Sequence, residues 1–200
     1  RIGLTDYALT DADLDTVFES GNLLGIGAAT LRKIMESLET IYAGRIGFEY
    51  MYIREIDVKN WLRNKIEKEA LTFTPTPAEK KRILEKLNEA SIFENFLHTK
   101  YLGQKRFSLE GGETTIPALD AIISRAADMG VEEVMIGMAH RGRLNVLTNI
   151  LGKSYEAIFD GFEGSVPTQV HGDGDVKYHL GYEGIRELAD GKVRVSLAAN

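Results

Sequence analysis

The sequence predicts an α/β protein with two parts, a helical region over residues 1–101 and an α/β region over residues 102–200. Apolar residues recur at spacings of three and four through the first part, which is the pattern of amphipathic helices. The second part alternates helix-like and strand-like segments, with glycine-bearing polar loops between them. A composition of 44% hydrophobic and 27% charged residues is typical of a globular chain. We therefore expect helices first, and a sheet packed with helices after them.

The helical region is predicted to begin with a short helix whose N-cap is Thr10. A second helix follows Thr30, because the apolar residues after it share one helical face. Segment 46–53 is aromatic and partly alternating, which leaves a short strand and a buried turn open. Helical spacing returns at residue 56, and the TPAE pattern at residues 76–79 is a capping box that starts a further helix.

The α/β region is predicted to open with a helix over residues 116–130, which ends at a glycine. A short, mostly buried strand follows at residues 131–138, and two helices begin near Arg143 and Tyr155. This order predicts a parallel sheet. The final run VRVSLAAN, residues 193–200, is strand-like and has no closing turn. We therefore expect this α/β domain to be incomplete in the chain.

Charge and composition exclude several classes of protein. Twenty-four basic and thirty acidic residues give a net charge of −6, which argues against general binding of nucleic acid. The chain has no cysteine, so disulfides, thiolate metal sites and cysteine nucleophiles are excluded. No apolar run approaches the roughly 18 residues that a membrane-spanning helix needs. The first fifteen residues carry neither the basic start nor the apolar centre of a secretory signal.

Three polar clusters interrupt the α/β region, in loops where binding and catalytic residues are often found. They are residues 105–112 (KRFSLEGG), residues 137–143 (GMAHRGR) and residues 171–179 (HGDGDVKYH). The second cluster follows the predicted strand directly. Open α/β sheets bind ligands just outside the carboxyl ends of their strands. We therefore treat the second cluster as the centre of a candidate site.

The side chains of the second cluster suit a small anionic ligand. His140 can change its protonation near neutral pH, and Arg141 and Arg143 are planar cations that match carboxylate or phosphate groups. Gly142 allows the backbone to approach a ligand, and the following helix would offer free N–H groups to an anion. The alternative is that His140 is a structural histidine and that both arginines pair with surface acids. Spacing alone leaves the two interpretations equal.

A metal site is the less favoured interpretation of the third cluster. His171, His179 and the aspartates between them could hold a divalent ion, but Gly-Asp-Gly-Asp is also an ordinary turn sequence. No H-E-x-x-H pattern or other carboxylate spacing supports the ion. The chain also lacks both common phosphate-loop patterns and the G-x-S-x-G pattern of hydrolases.

Long stretches of the sequence resemble one enzyme family. KRFSLEGGETTIPALDAII, VMIGMAHRGRLNVLTNILGK and GDVKYHLGY, in this order, closely resemble the thiamine-dependent, decarboxylating component of 2-oxoglutarate dehydrogenase. The upstream segment LGIGAATLRKIMESLETIYAGRIGFEYMYI resembles the helical region of the same family. The resemblance therefore covers nearly the whole chain, and it implies the N-terminal portion of a longer, homodimeric enzyme.

The resemblance implies roles for four residues. His140 and His179 would be the catalytic residues and would contact the 2-oxo acid, and Phe107 would line the same pocket. Arg141 would bind substrate or cofactor. Arg143 matches the motif but receives no role from it. The cofactors implied are thiamine diphosphate and Mg²⁺, with the metal ligands downstream of this chain, so no metal ligand is expected here.

The resemblance also implies a reaction and partners. The enzyme would decarboxylate 2-oxoglutarate oxidatively in the tricarboxylic acid cycle and pass the succinyl group to the lipoyl arm of dihydrolipoyl succinyltransferase. It would work in the cytoplasm of a bacterium or in the mitochondrial matrix of a eukaryote, and this portion alone would be inactive. Two alternatives stay open: an enzyme of the same family that acts on 2-oxoadipate, and a non-catalytic helical docking module for partner subunits.

Overall fold

The computed structural model describes residues 3–163, 179–188 and 191–200 of the chain. The chain divides into two compact units, residues 1–75 and residues 76–200. This division falls before the long helix α3 (Pro77–Lys100), whereas the change of sequence character near residue 101 falls after it. The assignment of domains at residue 101 stays a prediction.

The first unit has two α-helices, α1 (Leu31–Tyr42) and α2 (Ile56–Glu69), within its described residues. The side-chain oxygen of Thr30 accepts a hydrogen bond from the N–H of Lys33 at 3.3 Å, which caps α1 as the sequence predicts. Helix α1 buries Ile34 and Ile41 in a small apolar cluster. Segment 46–53 forms no strand; it is irregular chain that ends in a turn.

The predicted helix after Thr10 is wrong. Residues Asp11–Asp13 form a single 3₁₀ turn, in which the Thr10 N–H donates to the carboxylate of Asp13 at 2.8 Å. This is the bond of a capping box, but the turn does not continue into a helix. The next residues form strand β1 (Val17–Phe18), which pairs antiparallel with β2 (Ala29–Thr30). Further 3₁₀ turns lie at Leu4–Tyr7 and Glu19–Leu24.

The second unit contains helices α3, α4 (Thr115–Asp128), α5 (Arg143–Asn149) and α6 (Tyr155–Glu163). The capping box predicted at the start of α3 is present. The Thr76 side chain accepts from the N–H of Glu79 at 3.3 Å, and the Glu79 carboxylate accepts from the N–H of Thr76 at 2.7 Å. Helix α3 runs for 24 residues and packs against α4 and α5.

The sheet of the second unit has the order β3-β5-β4, with β3 at Glu133–Ile136, β4 at Tyr182–Leu188 and β5 at Gly191–Leu197. Strands β3 and β5 are parallel, as an α/β fold requires, whereas β4 and β5 are antiparallel. The sheet is therefore mixed rather than purely parallel. Buried residues of β5 join the core, which also takes residues from all four helices: Val193, Val195, Leu197, Ala90, Phe93, Leu97, Ile116, Ile123, Val146, Leu147, Ile158 and Phe162.

The parallel pair places the residues after β3 and the residues after β5 at the same end of the sheet. The carboxyl end of β3 leads into the GMAHRGR cluster, and Ile136 at that end is paired with Leu197 at the end of β5. The residues after β5 therefore run beside the residues after β3. Within the described ranges, no helix is long and apolar enough to cross a membrane.

Candidate functional site

Phe107 and His140 are in direct contact. Their ring centroids lie 4.2 Å apart, with the ring planes tilted by 49°. Both side chains are partly buried, so each ring also keeps an open side. Phe107 has a φ of +47°, a left-handed conformation that is uncommon for a side-chain-bearing residue. Such a backbone persists only where surrounding contacts hold it.

Two hydrogen bonds from the GMAHRGR loop, one from the backbone and one from a side chain, hold the loop of Phe107 in this conformation. The N–H of Gly142 donates to the carbonyl of Phe107 at 2.8 Å, and the Arg141 guanidinium donates to the carbonyl of Ser108 at 3.0 Å. Gly142 has a φ of +77°, and a Cβ there would lie 2.5 Å from the Cδ1 atom of Leu109. The positive φ favours glycine at this position, and a larger residue would also require the Leu109 side chain to shift.

A buried carboxylate holds the same loop from the other side. Glu94 is 3% exposed and lies on the inner face of α3. Its carboxylate accepts from the Arg106 guanidinium at 2.9 Å, from the N–H of Leu109 at 3.1 Å and from the side-chain amide of Asn145 at 3.1 Å. Arg106 and Leu109, on either side of Phe107 in the sequence, are thus both held by Glu94 of α3.

Arg143 is fully buried and binds backbone carbonyls rather than acids. Its guanidinium donates to the carbonyl of Met138 at 3.1 Å, to that of Leu180 at 2.8 Å and to that of Ala198 at 2.6 Å. Burial lowers the pKa of the Arg143 guanidinium. The alternative in which this arginine pairs with a surface acid is wrong, since Arg143 is not at the surface.

His179 is held by the residue at the end of the described chain. The Nδ1 atom of His179 lies 2.9 Å from the Oδ1 atom of Asn200, and the N–H of Asn200 donates to the carbonyl of His179 at 3.1 Å. Because an amide oxygen only accepts, the Nδ1 atom of His179 donates in this contact. The Nε2 atom of His179 lies on the side of the ring away from Asn200.

The structure therefore brings together most of the residues that the sequence singled out. Phe107 and His140 touch, Arg141 bonds to the loop of Phe107, and Arg143 links the loop of His140 to the residue after His179. Residues 171–178, which include His171 and the aspartates of the metal alternative, lie outside the described residues. Helix α5 has only seven residues, and its first N–H, on Arg143, donates to the carbonyl of His140 at 3.1 Å.

The charges of the site suit an anion. His140 and Arg141 lie in the GMAHRGR loop, the buried Arg143 begins α5, and no carboxylate of the described chain accepts a hydrogen bond from these three residues. In the same described ranges, no group of three or more His, Asp or Glu side chains could hold a metal ion. The donor set is therefore imidazole and guanidinium, which binds carboxylate or phosphate oxygens.

A separate apolar groove lies between α3 and α6. It has a volume of about 540 Å³ and is lined by Glu85, Asn88, Glu89, Ile92, Phe93, Phe96, Tyr155 and Phe159. None of these residues belongs to the three polar clusters. The groove lacks the imidazole and guanidinium groups that chemistry on an anionic substrate would need, so we place the candidate site at His140.

Sequence reasoning missed Glu94, Asn145 and Asn200. A signal for Glu94 does exist, because it stands at a core position of α3, in helical register with Ala90, Phe93 and Leu97. An acidic residue on an apolar helical face needs a buried partner. Nothing in the sequence pairs Asn200 with His179, because that contact depends on the register of β4 and β5.

Comparison with known proteins shows which family the chain resembles. It is 49% identical to the 2-oxoglutarate dehydrogenase E1/E2 component of Corynebacterium glutamicum, over 100% of the chain and 16% of that protein. It is 50% identical to a multifunctional 2-oxoglutarate metabolism enzyme of Mycolicibacterium vanbaalenii, again over 100% of the chain and 16% of that protein.

A third relative is the 2-oxoglutarate dehydrogenase E1 component of Brucella canis, 46% identical over 98% of the chain and 20% of that protein. No family model matches the chain. The chain spans a fifth or less of the length of these curated relatives. Over its whole length, the chain is homologous to the N-terminal part of 2-oxoglutarate dehydrogenase E1 components.

Proposed function

We propose that this chain supplies the substrate-binding histidines of an enzyme that decarboxylates 2-oxoglutarate with thiamine diphosphate. The observation that carries the proposal is the contact of Phe107 with His140, in a loop that Arg143 ties to the residue after His179. The identity of 46–50% to proteins named for 2-oxoglutarate supports it over the whole chain.

The chemistry of the side chains fits a 2-oxo acid with two carboxylates. His140 and His179 can donate hydrogen bonds to carboxylate oxygens and to the oxygen that becomes negative when the 2-oxo carbon is attacked. Either imidazole can also act as a general acid or base, and such proton transfer typically raises the reaction rate by roughly 10²–10⁴-fold. The Phe107 ring contacts His140 and supplies an apolar surface beside it.

The described residues fit the cofactor only in part. The Arg141 guanidinium is exposed and carries further N–H donors beyond the one that Ser108 accepts, so it would hold an anionic group such as a diphosphate. Thiamine diphosphate, when bound, supplies a carbanion nucleophile and an electron sink. The described donor set does not fit Mg²⁺, which prefers oxygen ligands, and we assign no step to the metal.

The proposal extends to the partners of the reaction. The succinyl group would pass to the lipoyl arm of an acyltransferase, and the enzyme would act as a homodimer within a multienzyme complex. The relatives reported above are bacterial, which supports a place in the bacterial cytoplasm.

Turnover by the complete protein that contains this chain tests the proposal. Release of CO₂ would be measured with thiamine diphosphate and Mg²⁺ present, on 2-oxoglutarate, 2-oxoadipate and pyruvate separately. We expect the highest kcat/KM on 2-oxoglutarate. A higher kcat/KM on 2-oxoadipate would make 2-oxoadipate the substrate instead. The proposal would be refuted if none of the three acids released CO₂.

A docking role for the first unit is the second candidate. Large apolar side chains of that unit are exposed, among them Tyr52, Trp61 and Phe73 at 79%, 60% and 72%. Large apolar side chains that are exposed often mark a surface that binds a partner protein. Trp61→Ser in the complete protein discriminates the candidates, because it would weaken retention of the acyltransferase in a pulldown while CO₂ release stays unchanged.

A further inference from the structure

The side chain of Arg143 is in an unusual position for a cation. It is fully buried, and none of its hydrogen bonds to described residues goes to a carboxylate. Its Nε atom has no hydrogen-bond partner among the described residues. Burying a charged guanidinium without a counter-charge is costly, so a neutral residue would be preferred here if only packing mattered.

The three carbonyls that Arg143 binds come from three separate segments. Met138 lies two residues before His140, Leu180 directly follows His179, and Ala198 lies after β5. Two residues beyond Ala198, Asn200 holds the imidazole of His179. One side chain therefore joins the segment of His140, the segment of His179 and the segment of Asn200.

The guanidinium is the group best suited to this task. Its N–H donors lie in one plane and at fixed angles, so the positions of the acceptors relative to one another are set by the group itself. A lysine ammonium reaches a similar distance but is a point charge on a flexible chain, and it imposes no such angles. The carbonyl of Leu180 at 2.8 Å and that of Ala198 at 2.6 Å share one nitrogen of the fork.

We propose that Arg143 is a positioning residue that sets the separation of the His140 and His179 imidazoles, and thereby the length of 2-oxo acid that the site accepts. The proposal rests on the proposed function in one respect, because it takes both imidazoles to contact a single substrate. Arg143 itself touches neither the substrate nor the cofactor; it acts through the backbone of the two loops.

Crystal structures of the complete protein test the positioning directly. The variants are Arg143→Lys, which keeps the charge, and Arg143→Gln, which removes the buried charge and so is expected to fold. Arg186→Lys is the matched control, because Arg186 is a mostly buried arginine of the same unit that pairs with Asp120 instead. We expect the separation of the two imidazoles to change by about 1 Å in both Arg143 variants and to be unchanged in the control. An unchanged separation in both Arg143 variants would overturn the proposal.

Steady-state kinetics give a second test. A loss of stability alone would not change the ratio of kcat/KM between two substrates. A misplacement of about 1 Å can cost on the order of 100-fold in rate, but only for a substrate that uses both contacts. We therefore expect kcat/KM for 2-oxoglutarate to fall at least about tenfold in both Arg143 variants, mainly through KM, and that for 2-oxobutyrate, which lacks the distal carboxylate, to fall less. Equal losses on both acids would contradict the proposal.

The two proposals fail in different ways. If the wild-type protein does not turn over 2-oxoglutarate, the proposed function is refuted, and the imidazole separation in the crystal structures still tests Arg143. If the wild-type protein is active and the Arg143→Lys and Arg143→Gln variants keep either the separation of the imidazoles or the ratio of kcat/KM between the two acids, the positioning role is refuted and the function stands.

Discussion

The Oδ1 atom of Asn200 lies 2.9 Å from the Nδ1 atom of His179. This contact fixes which imidazole nitrogen carries the proton, since the amide oxygen cannot donate. The N–H of Asn200 also donates to the carbonyl of His179 at 3.1 Å, so a backbone hydrogen bond joins the same two residues. The residues after β5 thereby hold a histidine that the sequence places before β4.

The Asn200→Ala variant removes this control. We expect kcat/KM on 2-oxoglutarate to fall about tenfold, the equivalent of about 1.4 kcal/mol, because the ring can rotate and both tautomers become populated. Steady-state kinetics of the complete protein measure this fall in kcat/KM. Asn200→Asp, which retains an acceptor oxygen, should lose less, and wild-type kinetics in Asn200→Ala would show that the contact has no role.

Because the backbone of Phe107 is left-handed, two substitutions at this position can separate the role of the ring from the role of the backbone conformation. Phe107→Gly and Phe107→Ala both remove the ring, but only glycine adopts a φ of +47° without a steric cost. We expect Phe107→Gly to be about 1 kcal/mol more stable than Phe107→Ala.

Both variants should nonetheless lose kcat/KM to a similar extent, because the contact with His140 is missing in each. Thermal unfolding and steady-state kinetics of the two proteins, measured side by side, check the prediction. If Phe107→Gly kept wild-type activity, the ring would have no part in substrate binding.

Glu94 is expected to be among the most sensitive positions of the second unit. Glu94→Gln keeps the shape of the side chain but leaves the Arg106 guanidinium, which is 13% exposed, facing a neutral group. Breaking one partner of a buried ion pair costs about 3 kcal/mol or more. Chemical denaturation of the complete protein measures this loss, and Glu110→Gln is the control.

Glu110 also pairs with Arg106, but its carboxylate is half exposed, so that pair is worth little. We expect Glu110→Gln to change the free energy of unfolding by less than about 1 kcal/mol. Equal losses in the two variants would mean that the buried network does not hold the loop of Phe107.

Asp120 makes the stability of the second unit depend on pH. Burial by itself would raise the pKa of this carboxyl group, but hydrogen bonds from Arg82 and Arg186 outweigh burial and hold the pKa below its usual range. A carboxyl group whose pKa is lowered by folding stabilises the protein above its unfolded-state pKa of about 3.9. That stability is lost as the pH falls through the lower folded-state value.

The Asp120→Asn variant should therefore be less stable than the wild type at pH 7 by about 3 kcal/mol, and the difference should shrink below about pH 4. Denaturation at a series of pH values checks this. Of its two partners, Arg186 is 14% exposed and Arg82 is 49% exposed, so Arg186→Met should cost more than Arg82→Met. A difference between Asp120→Asn and wild type that does not vary with pH would contradict the account.

The elements that the sequence predicts well are those with local signals. Thr30 and the TPAE pattern at residues 76–79 mark helix starts through bonds to residues three positions away, and the structure has both. Residues 11–18 carry similar signals, but the structure that they adopt depends on pairing with β2, which lies more than ten residues further along the chain. Pairing of that kind cannot be predicted from local spacing, and this is why the helix predicted there is wrong.

The candidate site, too, could be predicted only where it depends on local sequence. His140, Phe107 and Arg141 follow from residue type and motif, and the structure brings them together. The burial of Arg143 and the partner of His179 do not follow, because both depend on how β4 and β5 pair. Residue type alone predicts that an arginine beside a histidine faces a ligand or a surface acid, whereas this one binds the backbone of three segments.

The measurement that tests the central claim most directly is the turnover of 2-oxoglutarate by two histidine variants of the complete protein. We predict that His140→Ala and His179→Ala each lower turnover at least about tenfold, or about 1.4 kcal/mol of barrier. His98→Gln, at an exposed histidine whose Nδ1 atom lies 3.2 Å from the Arg106 guanidinium, should retain wild-type turnover. Wild-type turnover in both His140→Ala and His179→Ala would contradict the account.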